Sequence, residues 1–159
     1  IWEDYDKDNK KDLIIVGDWM PIMIFHNENG GLKKIEPQKS ALANTNGWWN
    51  CIKSGDLDKD GDVDFIIGNH GLNSRFRAAA QRPVEMYIND FDQNGTAEQI
   101  VCQYEGDKSY PLALRHDLVA QMPGLKKKYL KYAKYVNQTI TDVFTAEQLA
   151  NAIHLTAYN

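Results

Sequence analysis

The chain has 159 residues, 43% of them hydrophobic and 25% charged, which is enough for a domain with a core of its own. A net charge of −4 and a pI near 5.5 provide no global positive field for holding nucleic acid or an anionic membrane. No apolar run exceeds a handful of residues, Leu13 to Val16 being typical, so a membrane-spanning helix is excluded.

In chain order, Ile1 opens without an initiator Met or a signal-peptide pattern, and Trp2-Glu3 run straight into an acidic window, so the chain is expected to start partway through a repeat. That window, 4–12, carries Asp4, Asp6, Asp8 and Asp12. A strand is expected over 12–17, a second near Pro21–Phe25, a hairpin turn at Asn27–Gly31 and a strand at Leu32–Ile35. The polar stretch Glu36–Gly47 links to a strand at Trp49–Lys53, a second acidic window at 56–64, and the β-branched run Phe65–Gly68. Asn69–Arg82 has no clear period and is expected to loop over the surface, Pro83 leads into a strand at Val84–Ile88, and a third acidic window follows at 90–98. From Asp117 the pattern turns helical. Asp117 is expected to cap a short helix that Pro123-Gly124 breaks; Leu125, Tyr129, Tyr132, Ala133 and Val136 then share one helical face. Thr145 and Gln148 form a capping-box pattern that opens a last helix through Ile153. Cys51 and Cys102, set among apolar strand residues, are expected to be buried free thiols.

The acidic residues are concentrated, with eleven of the fifteen Asp inside the three windows. Asp4 to Ile15 and Asp56 to Ile67 align without a gap, and Asp90 to Val101 follows more loosely. Oxygen-bearing side chains recur at positions 1, 3, 5 and 9: Asp4, Asp6, Asp8 and Asp12; Asp56, Asp58, Asp60 and Asp64; Asp90, Asp92, Asn94 and Glu98. Calcium takes about six to eight oxygens at roughly 2.3–2.6 Å, and a tight loop aims alternate side chains at one point. Position 6, filled by Asn9, Gly61 and Gly95, is expected to bend through positive φ. Position 7, filled by Lys10, Asp62 and Thr96, is expected to lend a backbone carbonyl. An EF-hand begins in the same way but needs a Glu at position 12 and flanking helices; here Ile15, Ile67 and Val101 stand there, with strands around them. The cofactor expected is Ca²⁺, in strand–loop–strand sites.

These loops, with Gly47-Trp48-Trp49-Asn50, Gly55-Asp56-Leu57-Asp58 and the run Ile66 to Asn73, resemble the FG-GAP/VCBS repeat family, whose β-propeller blades occur in integrin α-subunits and bacterial surface proteins. They look most like a bacterial subgroup related to the cartilage acidic protein family. The stretch from Lys108 through Asp117 to Phe144 looks like the helical insertion of that subgroup. The resemblance implies a mainly β fold, a partial β-propeller over 1–112 with a helical insertion over 113–159. It also implies an extracytoplasmic location, secreted, periplasmic or cell-surface. The interval from Asp4 to Asp56 is 52 residues, close to one blade, whereas Asp56 to Asp90 is 34. A ring of about four to eight blades is more than this chain can close, so the remainder of a parent propeller is an expected partner.

Hydrolytic chemistry lacks its signatures: there is no Gly-x-Ser-x-Gly elbow, no His-Glu-x-x-His and no Cys/His pair at usable spacing. The lysines at 126–134 lie off the apolar helical face, as on a solvated helix rather than a nucleic-acid surface. Of the Trp48-Trp49 pair, at least one is expected in the core. The expectation is a non-enzymatic, calcium-binding module for a protein or glycan partner; the alternative is part of a propeller enzyme acting on polysaccharide.

Overall fold

A computed structural model describes residues 1–36, 42–71 and 74–158. They form two compact units, Ile1–Arg75 with Ala157–Asn159, and Phe76–Thr156. Both are built on antiparallel sheets, so the mainly β expectation holds; the sheets do not close into a ring.

In the first unit, β1 (Trp2–Glu3), β2 (Asp12–Ile15), β4 (Met23–Glu28) and β5 (Gly31–Lys34) form one sheet in that order; β3 (Asp18–Met20), β6 (Gly47–Gly55) and β7 (Asp64–Asn69) form a second. The hairpin between β4 and β5 turns on Asn29 and Gly30, both at positive φ, as its right-handed twist requires. The expected strand at 21–25 starts two residues later, at Met23, because Pro21 has no N–H to give a ladder. Trp48 is buried with Trp19 edge-on at 5.2 Å, which meets the core expectation for one of the two tryptophans. Cys51 is exposed, contrary to expectation: the β6–β7 register shifts between Trp49 and Cys51, and a one-residue irregularity turns the following side chains to the other face.

In the second unit, β8 (Val84–Asn89), β9 (Glu98–Glu105), β10 (Lys108–Pro111) and β11 (Ile153–Ala157) make a sheet ordered β10-β9-β8-β11. Between β10 and β11 run five short helices: α1 (Arg115–Gln121), α2 (Leu125–Lys128), α3 (Tyr132–Tyr135), α4 (Ile140–Val143) and α5 (Ala146–Ala150). Leu118, Met122, Tyr129, Tyr135, Ile140, Val143 and Phe144 form a core with Ile100 and Cys102 of β9 and with Phe91 of the loop between β8 and β9. Burying side chains of this size contributes about 1.5–3 kcal/mol each, and the helices are too short to persist without it.

The helical stretch differs from the sequence reading in three places. Leu114, not Asp117, sits at the N-cap of α1, and Asp117 falls in its first turn. The single helix expected across 125–136 is two separate turns, with Tyr129 and Tyr135 buried and Tyr132 and Val136 exposed. The guanidinium of Arg115 donates to the carbonyls of Tyr129 and Leu130, taking acceptors that a continuous helix would use. The last helix is opened by the expected Thr145–Gln148 capping box but stops at Ala150, and Ile153 begins β11. No helix among the described residues is long and apolar enough to cross a membrane.

Candidate metal centres

Each acidic window joins two antiparallel strands in the same register. The residue before position 1 lies opposite position 9: Glu3 with Asp12, Gly55 with Asp64, and Asn89 with Glu98. The strand pairing thus brings the last carboxylate of each loop back beside the first.

Inside the loops one set of hydrogen bonds recurs. The position-9 carboxylate accepts the position-2 N–H: Tyr5 to Asp12 at 3.3 Å, Leu57 to Asp64 at 2.8 Å, and Phe91 to Glu98 at 2.9 Å. The position-1 carboxylate accepts the position-6 N–H: Asn9 to Asp4 at 2.8 Å, Gly61 to Asp56 at 3.2 Å, and Gly95 to Asp90 at 2.8 Å. The position-5 side chain accepts the position-7 N–H: Lys10 to Asp8 at 2.8 Å, Asp62 to Asp60 at 2.9 Å, and Thr96 to Asn94 at 2.8 Å. Lys10, Asp62 and Thr96 therefore take part in each turn through their amides.

The backbone alternates to make this possible. Asn9, Gly61 and Gly95 have φ of 66°, 87° and 90°, as expected for position 6. Position 4 is also left-handed, at Lys7, Lys59 and Gln93, with φ of 64°, 66° and 61°. This second reversal was not legible, because lysine and glutamine carry no signal for positive φ.

The result is convergence of carboxylates. Oxygens of Asp56, Asp58 and Asp64 lie within 4.8 Å of one another, as do those of Asp90, Asp92 and Glu98, and those of Asp4, Asp6 and Asp8. Glu98 is buried and Asp64 half-buried, while positions 1 and 3 of these two loops are more open.

The first loop is arranged differently. Asp12 is fully buried, and its Oδ1 accepts the Asn27 N–H at 2.8 Å and lies 3.1 Å from His26 Nδ1. The same ring nitrogen is 3.1 Å from Asp6 Oδ2, so Asp6, Asp12 and His26 form a further group within 4.8 Å. Lys10 Nζ contacts Asp8 Oδ2 at 2.8 Å, and this ammonium holds the Asp8 carboxyl below its ordinary range. Nothing in the spacing marks His26 as a neighbour; it reaches Asp12 only because β4 pairs with β2. Lys7 of the first loop contacts Asp62 of the second at 2.7 Å, which lowers the Asp62 pKa and raises that of Lys7. Both groups are exposed, so the pair contributes little to stability.

No match was found among curated proteins or among solved structures. Residues 4–67 match the family model described as FG-GAP-like repeat, from the first residue of the first acidic loop through the second loop and into β7. The match supports an FG-GAP repeat protein.

Proposed function

We propose that the three loops bind Ca²⁺, and that the chain is a calcium-rigidified, non-catalytic binding or scaffold segment of an extracytoplasmic protein. The observation that carries this reading is the threefold recurrence of one hydrogen-bonded turn with its carboxylates gathered within 4.8 Å. Two oxygens held by one calcium at roughly 2.3–2.6 Å can be no more than about 5 Å apart, so the spacing fits a shared hard cation. The donors of the second and third loops are oxygens alone, which suits calcium better than a nitrogen-preferring metal.

Asp56, Asp58, Asp60 and Asp64 would hold the ion in the second loop, with Asp62 lending a carbonyl; Asp90, Asp92, Asn94, Glu98 and Thr96 would do so in the third. In the first, Asp4, Asp6, Asp8, Asp12 and Lys10 are the corresponding set, with His26 beside them. The bound cation supplies the positive charge that lets several carboxylates share one turn. The protein's part is to hold them in advance through backbone N–H groups, so that little ordering remains when the ion arrives. FG-GAP repeats are commonly extracellular, where calcium is plentiful enough for sites of moderate affinity. Assembly as blades of an integrin-like propeller, kinship with the bacterial VCBS and cartilage acidic protein group, and a protein or glycan partner on the cell exterior belong to the same reading.

The test is a thermal melt in Ca²⁺ and in chelator. An ion that binds only the folded state adds about 2.7 kcal/mol at a hundred times its dissociation constant, and a rise of several degrees in the midpoint is expected. Identical midpoints in millimolar calcium and in chelator would remove the metal assignment.

A further inference from the structure

Away from the acidic loops, the Phe76–Thr156 unit holds a cavity of about 420 Å³, within the ~300–1,000 Å³ range of small-molecule sites. Strand alternation builds one wall. Glu85 lies opposite Cys102 and Ser109 opposite Tyr104, so Glu85 and Tyr87 of β8, Tyr104 of β9 and Ser109 of β10 share a face. The α4 segment supplies Ile140 and Asp142 on the other side.

The floor holds a buried carboxylate. Glu85 is 5% exposed; its Oε2 accepts the Ser109 hydroxyl at 2.6 Å, and its Oε1 lies 3.3 Å from the Tyr87 hydroxyl and 3.1 Å from His154 Nε2. A carboxylate offers about four acceptor positions, and three are taken here. The other carboxylates at this cavity have cations of the chain beside them: Arg82 is 3.1 Å from Asp107. The Asp142 pKa is lowered chiefly by its bonds to Thr139, and also by the charges of Lys108 and Lys128. Among the described residues, Glu85 has one ion-pair partner, the imidazole of His154, which stacks on Tyr87 at 4.4 Å, and Lys108 lines the cavity as well. A charge withdrawn from water is costly unless compensated. Burial, and then the charge of Glu85, push the hydroxyls of Tyr87 and Tyr104 above their ordinary range, so both rings stay neutral. Neutral aromatic faces beside a buried carboxylate attract a cation.

We propose that this cavity binds a small organic cation, an ammonium or guanidinium group that donates to Glu85 while its alkyl body rests on Tyr87, Tyr104 and Ile140. A neutral polyol also suits mixed aromatic and polar walls, but it leaves Glu85 with no charged partner beyond the imidazole of His154. The inference is independent of the calcium reading, and either can fail alone.

The experiment titrates the full chain, by calorimetry and NMR, with n-butylammonium, n-propylguanidinium and N-acetyl-lysinamide, using n-butanol and glucose as neutral controls. The charged probes are expected to bind and to shift the His154 and Tyr104 resonances, with Glu85→Gln weakening binding by about tenfold or more. Binding of N-acetyl-lysinamide alone among the cations would support the chemistry and place its source on a protein side chain. If Glu85→Gln does not fold, Tyr104→Leu decides, with a loss of about three- to tenfold expected in a chain of unchanged circular dichroism. The proposal is overturned if n-butanol or glucose binds as tightly as the cations, if no cation binds the wild-type chain, or if the folded variants bind as wild type does.

Discussion

Lys7, Lys59 and Gln93 hold backbone angles that an L-residue adopts at a cost of roughly 1–2 kcal/mol, whereas glycine holds them freely. Lys59→Gly is therefore expected to leave the urea midpoint nearly unchanged, relief of strain offsetting the added freedom of the unfolded chain. Gly61→Val, placing a β-branched residue at φ 87°, is expected to lose at least about 1 kcal/mol. Equal losses at the two positions would contradict the alternating backbone. Gly61 and Gly95 announced position 6 in the sequence; position 4 was hidden because its occupants are chosen for solvent rather than for φ. The cysteines show a similar split. Burial, and then the charge of Glu85, raise the Cys102 thiol to about 12, while Cys51 is exposed. Iodoacetamide should add one label to the native chain, on Cys51, and a second only in denaturant; two labels in the native state, read by mass spectrometry, would refute that burial.

Among the elements, α4 and α5 each begin with a full capping box, Thr139 with Asp142 and Thr145 with Gln148. Thr139→Ala is expected to cost about 1 kcal/mol of stability. Its pH dependence has a definite sign. The Thr139 bonds hold the Asp142 carboxyl below 3.8 in the folded chain, so the contribution is present above that value and lost as pH falls through the folded pKa. The deficit of the variant, measured by urea melts from neutral pH downward, should therefore shrink in acid; a constant deficit would show that Asp142 has no part in the cap. Thr145 and its box were legible because they are local, three residues apart. The break between α2 and α3 was not, because it depends on Arg115 bonding carbonyls some fourteen residues away. The strand β11 was hidden for the same reason, since its sheet neighbour β8 is distant in sequence.

At the level of the whole molecule, the acidic repeat and the β class were readable because both rest on periodic patterns. The partial propeller expected from the family resemblance concerns how sheets stack, which no local pattern encodes, and the sheets seen here do not close into a ring. If the loops are calcium sites, Asp58→Asn should diminish the calcium-induced rise in the melting midpoint while leaving the midpoint in chelator within about 0.5 kcal/mol of wild type, as for most exposed substitutions. A similar loss in both conditions would mean that Asp58 serves the turn rather than an ion.

The helices between β10 and β11 leave from one edge of the second unit's sheet and return at the other, and their buried side chains rest on Ile100 and Cys102. A layer laid from edge to edge in this way covers much of one face of the sheet. In a row of stacked sheets each member must offer both faces to its neighbours. The helical side of this sheet presents instead the helices and the cavity lined by Glu85, Tyr104 and Ile140, a surface with room for a small ligand rather than for a second sheet.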